Sequence, residues 1–121
     1  MKNLQEEIGE FVSKRNWDQY HDPKELLLGI VEEVGEFRNI IKWETNKEKI
    51  NEIIKSNFKE VEDTFGDMLW FICLLANKCG VDLETALKKV IKKNERRFPL
   101  DDSINKHTNV LAGGTDKKNQ I

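Results

Sequence analysis

Cysteine is scarce in this chain, with two in 121 residues, Cys73 and Cys79. They fall in one helical segment at positions that diverge around its axis, and they match no metal or redox spacing. Both read as reduced residues of the core or its boundary. Long apolar runs are missing too: the longest, Met68 to Ala76, is far too short to span a bilayer, and no basic-then-apolar leader opens the sequence. These absences make the cytoplasm the expected compartment and leave no role at a membrane. Nor is there an excess of charge of one sign, because 20 Lys and Arg stand against 22 Asp and Glu, a net −2 that gives no electrostatic footprint for duplex nucleic acid. Internal repeats and strand-like alternation are absent. What remains is one soluble all-α domain, short enough that oligomerisation would help bury its apolar helix faces.

The chain is organised around Leu26 to Trp43. At about 3.6 residues per turn, Leu26, Ile30, Val34, Phe37 and Ile41 form one stripe, with Gly29, Glu32, Glu33, Glu36 and Trp43 beside it. A solvated acidic face would lie opposite the apolar stripe. Acids bordering that stripe instead point together into a cleft between packed helices, which suits a hard cation.

In chain order, Asn3 and Glu6 open a first helix with Leu4, Ile8, Phe11 and Val12 inward, ending near Lys14. The loop from Arg15 to Pro23 is dense in aromatic and polar side chains, Trp17, Tyr20 and His21 among them, as expected of a pocket lining. Asp22 as N-cap, Pro23 as first residue and Glu25 at the third position start the second helix. A polar connector with a short helix around Ile50, Ile53 and Ile54 follows. A long central helix from Phe58 to Lys78, capped by Gly80, places Glu60, Asp63, Thr64, Asp67 and Phe71 on one face. A last helix from the N-cap Asp82 turns Leu83, Ala86, Leu87, Val90 and Ile91 inward and ends in the basic run Lys92 to Arg97. The domain is expected over residues 1–100, with residues 101–121 an extended or disordered arm.

Glu33 and Glu36 on one helix, with Asp63 and Asp67 on another, would bring carboxylates to one interhelical cleft, as helix bundles with carboxylate metal sites do. Oxygen ligands of this kind favour Mg²⁺ or Mn²⁺, and through the cation a phosphate chain. The competing reading makes these acids ordinary solvated surface.

Three segments, Glu32-Glu33-Val34-Gly35-Glu36, Gly66-Asp67-Met68-Leu69-Trp70 and Lys93-Asn94-Glu95-Arg96-Arg97-Phe98-Pro99, resemble the MazG-like all-α nucleoside triphosphate pyrophosphatases. The loop Arg15 to Pro23 and Trp43 bring the likeness nearest the dCTP pyrophosphatase branch, and it covers about residues 3 to 99. The resemblance implies a four- to five-helix bundle assembled as a dimer or tetramer, Mg²⁺, and cleavage of a nucleotide between its α and β phosphates. One position departs from the pattern. Where the family has Glu three residues before the aspartate matched by Asp67, this chain has Thr64; either Asp63 replaces that acid, or Glu60 and Asp63 act as a displaced pair, and the first is preferred.

The mechanism expected is attack of an Mg²⁺-activated water on the α-phosphorus of a (d)NTP, with a pyrimidine favoured and pyrophosphate leaving. Glu33, Glu36, Asp63 and Asp67 are the expected metal and catalytic residues, with Asp63 or Glu32 orienting water. Lys93, Asn94 and Arg97 are candidates for the nucleotide's phosphates, against the alternative of a basic helix end complementing its dipole. Trp17 and Trp43 are candidates for stacking on the base, with Phe71 and His21 nearby, against ordinary packing. The non-enzymatic rivals are a helical module that binds nucleotide and metal without cleaving, and a plain oligomerising bundle. Phosphoribosyl-ATP pyrophosphatase is the enzymatic alternative, which fits the aromatic loop less well.

Overall fold

The computed structural model describes residues 1–103, and among them there are helices and no strand. Most of the arm expected over 101–121 lies outside the described residues; its first three residues close a single helical turn, Leu100–Ser103. The chain divides into two compact units, Met1–Asp82 and Leu83 onward.

The first unit holds α1 (Lys2–Lys14), a 3₁₀ turn (Asp18–Tyr20), α2 (Pro23–Ile41), α3 (Lys47–Ser56) and α4 (Phe58–Cys79). Local chemistry sets these boundaries. The Asp22 carboxylate accepts from the Lys24 N–H at 2.9 Å ahead of Pro23, a cap whose loss costs about 0.5–2 kcal/mol. Asn46 caps α3 by accepting from Glu48 and Lys49 N–H. At the end of α4, Gly80 turns left-handed at φ 68°, which lets Val81 N–H reach Ala76 O and Gly80 N–H reach Asn77 O. This paired closure needs a residue without a Cβ penalty.

α4 is the central helix, touching α1, α2 and α3. Gly29 meets Phe71, and the Phe37 and Phe65 rings pack edge to face with centroids 5.6 Å apart, so α2 and α4 run antiparallel. The core is Val12, Leu26 and Leu74, with Ile8, Trp70, Phe71 and Leu75 packed against it.

Several helix faces differ from the sequence reading. On α1 the inward line is Gln5, Ile8 and Val12, while Leu4 and Phe11 are exposed. Gln5 is buried because its amide is satisfied: Nε2 donates to Asn77 Oδ1 at 3.2 Å and to Val81 O at 2.9 Å, tying the start of α1 to the end of α4. On α2 the buried positions are Leu26 and Gly29, and Val34 is 50% exposed, so the inward face is rotated toward the glutamates. Cys73 is buried, and burial pushes its thiol up, whereas Cys79 is exposed at the last turn of α4. The second helix stops at Ile41, short of Trp43.

In the second unit, α5 (Leu83–Arg97) follows directly on Asp82. Of the stripe expected to face inward, Leu83 and Ala86 are half-buried, while Leu87, Val90 and Ile91 are exposed. The turn Leu100–Ser103 is α6.

Candidate active site

Rotation of α2 puts Glu33 at the line where that helix faces α4. Two turns separate Leu26 from Glu33, so an inward-facing Leu26 and Gly29 carry Glu33 inward as well. Its Oε2 is buried and has no hydrogen-bond partner. Burial, and then the Glu36, Asp67 and Glu32 carboxylates in that order, push the Glu33 carboxyl above its ordinary value of 4.5. A buried acceptor facing like charges is costly unless something positive or protonated meets it. The donor set therefore fits a hard, oxygen-seeking cation. Among the described residues no three acids, histidines or cysteines stand close enough to form a finished metal cluster, so the carboxylates would have to turn toward a cation to hold it.

The antiparallel register explains Thr64. Glu33 lies beside Asp67, and one turn further along α2 stands Glu36, level with the residue one turn earlier on α4, which is Thr64. Thr64 is buried, and its hydroxyl donates to Val61 O at 2.7 Å. The inward position is thus filled by a hydroxyl already engaged with its own helix. Asp63 and Glu60 are exposed on neighbouring faces of α4, and neither is among the acids that raise Glu33.

A cavity of about 290 Å³ opens beside these acids, lined by Trp17, His21, Gly29, Glu32, Trp70 and Phe71, among others. Its aromatic walls are braced. The Phe11 ring sits edge-on to Trp17 at 5.6 Å and to Trp70 at 5.5 Å, and Arg15 lies 3.5 Å over the Phe11 centroid. Lys78 Nζ donates to Asp18 O at 2.9 Å and pairs with Asp18 Oδ1 at 3.0 Å, pinning the turn that carries Trp17.

The structure thus brings Trp17, His21 and Phe71 to one cavity, next to Glu32. It does not bring Trp43 there. Trp43 is 87% exposed beyond the C-terminal end of α2, with Lys42 Nζ 5.1 Å from its ring, while the cavity sits at the Gly29 end. Along one helix that separation is roughly 20 Å at about 1.5 Å per residue. Lys93, Asn94 and Arg97 lie on α5 in the second unit, where Arg97 rests 5.0 Å from the Phe98 ring. The sequence reading missed Gly29 and Trp70 as cavity residues. The signal for Gly29 was present, since a glycine inside a helix signals close approach of a neighbour.

Known proteins resemble the chain along the same lines. Residues 21–100 match the model of the MazG nucleotide pyrophosphohydrolase domain. The chain is 31% identical over 112 residues to the dCTP pyrophosphatase 1 of Bos taurus, covering 89% of this chain and 66% of that protein. To dCTP pyrophosphatase 1 of Homo sapiens it is 30% identical over 116 residues, covering 93% of this chain and 68% of the other. The chain therefore spans about two thirds of the length of these relatives. Among solved structures, a pyrophosphatase from Archaeoglobus fulgidus superposes with a TM-score of 0.75 at 31% identity, over 82% of this chain and 92% of that one. The chain belongs to the MazG nucleotide pyrophosphohydrolase family.

Proposed function

We propose that the chain hydrolyses a nucleoside triphosphate, with a pyrimidine deoxynucleotide preferred, to the monophosphate and pyrophosphate. The observation that carries this reading is the buried, unpartnered Glu33 oxygen among Glu36, Asp67 and Glu32, next to an aromatic cavity. Relatives named as dCTP pyrophosphatases support the substrate class.

Glu33, Glu36 and Asp67 would hold Mg²⁺, or Mn²⁺, with Asp63 the nearest acid able to stand in for the family glutamate replaced by Thr64. When bound, that ion would offset the charge of the phosphates and lower the pKa of a water able to attack the α-phosphorus. Glu32, which lines the cavity and also acts on Glu33, or else Asp63, would orient the water. Trp17, His21 and Phe71 receive the base; the cavity is small for a ligand cleft, just below the usual range of about 300–1,000 Å³. Lys93, Asn94 and Arg97 of α5 are the candidate donors to a nucleotide's phosphates.

The same reading makes the protein a homo-oligomer, a dimer or tetramer. Leu27, Val31 and Val34 on α2, Phe65 and Leu69 on α4, and Leu87, Val90 and Ile91 on α5 leave apolar side chains exposed at helical spacing, which is more than scattered surface residues explain. Trp43 of a second copy would then be free to close a base pocket that Trp43 of the same chain does not reach. The nucleotide pool of the cytoplasm is the expected setting, and no helix among the described residues is long and apolar enough to cross a membrane.

A second reading, a module that binds nucleotide and metal with little catalysis, is favoured by Thr64 alone, whose engaged hydroxyl offers no carboxylate opposite Glu36. Pyrophosphate release measured across common and modified (d)NTPs, with and without Mg²⁺, separates the two. Mg²⁺-dependent release supports hydrolysis; binding of nucleotide without release supports the module.

A further inference from the structure

Gly29 lies on α2 directly against the ring of Phe71. A Cβ at this position would sit 2.7 Å from Phe71 Cε1, 2.8 Å from Cδ1 and 2.9 Å from Cζ, where ordinary contact begins at 3.4 Å. Any side chain at position 29 would therefore displace the ring by several tenths of an ångström or more. A glycine inside a helix is less favourable than alanine, so a position that keeps one gains something from the missing Cβ. Here it is room for an aromatic ring against the helix backbone.

Both residues line the aromatic cavity. On another side Phe71 packs against the core of Val12, Leu26 and Leu74, which close packing keeps from yielding. Trp17 and Trp70 pack edge-on against the Phe11 ring, which braces that side of the cavity. A ring pushed off Gly29 is backed by that core on one side and borders the cavity on another, so the displacement is taken up at the cavity.

We infer that Gly29 is a specificity-determining residue: by seating Phe71 against the α2 backbone it sets the depth of the cavity, and that depth admits a single-ring base and rejects a purine. The inference rests on the cavity being the base pocket of the proposed pyrophosphohydrolase. Gly29 acts through Phe71 and is a positioning residue.

The test is equilibrium binding of the α,β-imido analogues of dCTP and dATP, in Mg²⁺, to the full chain and to Gly29→Ala, Phe71→Leu and the double variant, with helical content followed by circular dichroism. One methylene in an apolar pocket changes discrimination by about 10- to 200-fold. The native chain should favour the dCTP analogue by at least about tenfold, and Gly29→Ala should lose at least about tenfold in affinity for it while keeping its helices. Phe71→Leu should narrow the preference over the dATP analogue. The double variant should bind the dCTP analogue as Phe71→Leu does, because a smaller side chain no longer meets the new methyl. A merely structural role for Gly29 would not produce that rescue. Native-like affinity in a folded Gly29→Ala overturns the inference and leaves the base pocket standing. Should Gly29→Ala fail to fold, Phe71→Leu decides alone: an unchanged dCTP-to-dATP ratio overturns the inference. Binding of neither analogue by the native chain overturns the base-pocket reading, and this inference with it.

Discussion

Glu33 on α2 and Asp67 on α4 stand across one helix interface, and the charge of Asp67 helps hold the Glu33 carboxyl above its ordinary value. For a carboxyl whose folded value is raised, the stability it contributes is fully present below the unfolded value and is lost as pH rises through the folded one. Without metal, the protein should lose stability as pH climbs from 4.5 through the raised value of Glu33. Glu33→Gln should flatten that loss and raise the Tm at neutral pH. Thermal melts from pH 4 to 8 in chelator test this; a Tm in Glu33→Gln that falls as steeply as in the native chain contradicts it.

Mg²⁺ should reverse the penalty. If Glu33, Glu36 and Asp67 hold the ion, adding it stabilises the native chain by mass action, by about 2.7 kcal/mol at a hundred times the Kd, and so raises its Tm. Glu36→Gln should lose most of that response and nearly all hydrolysis while its helical spectrum stays native, since Glu36 is exposed and supports no packing. Full turnover in Glu36→Gln at saturating Mg²⁺ would remove Glu36 from the site.

Three substitutions at and around Thr64 bear on the missing acid. Thr64→Glu places a carboxylate at a buried position level with Glu36, so it should destabilise the metal-free protein and increase the stabilisation by Mg²⁺. Asp63→Asn should reduce kcat far more than Glu60→Gln if Asp63 substitutes for the family acid. The reverse order of the two rate losses would identify Glu60 and Asp63 as the working pair.

Replacing Gln5 by Leu should cost about 1–3 kcal/mol, because Asn77 Oδ1 and Val81 O each lose a donor at a partly buried site. Urea unfolding measures the change. A loss under half a kilocalorie would show that solvent replaces the lost donor.

How much of this was legible in the sequence depends on whether a signal was local. Asp22 with Pro23 and the cap at Gly80 depend on their own neighbours, and those helix boundaries fall within a residue or two of expectation. The faces of the helices depend on what lies opposite, and there the wheel misled. Phe11 and Leu4 are as apolar as Val12, yet the inward place went to Gln5 because Asn77 and Val81 offered it partners. Val34 belongs to the same stripe as Leu26 by spacing but lies exposed, since α4 meets the Gly29 and Glu33 edge instead. The glutamates were readable as a cluster; that a carboxyl oxygen of the half-buried Glu33 would be the one shielded from solvent was not, because that is set by α4. Trp17 and Trp43 look like a pair in sequence, but no local signal tells which end of α2 carries the cavity.

Trp17→Leu and Trp43→Leu should separate as a result. Trp17 lines the cavity within the chain, so its loss should raise KM for the preferred nucleotide, in line with about 1–3 kcal/mol for stacking on a base, with a smaller change in kcat. Trp43→Leu should raise KM only in an oligomer. Size-exclusion chromatography with light scattering, run beside the kinetics, tells the two apart; equal KM effects in a monomeric protein contradict the placement of the cavity.

The most direct measurement of the central claim is the identity of the products. Incubation of the chain with dCTP and Mg²⁺, resolved by ³¹P NMR, should yield dCMP and pyrophosphate in equal amounts, with no reaction in chelator and none in Glu33→Gln. Formation of dCDP and inorganic phosphate, or no turnover of dCTP or of any other common or modified nucleotide, would contradict it.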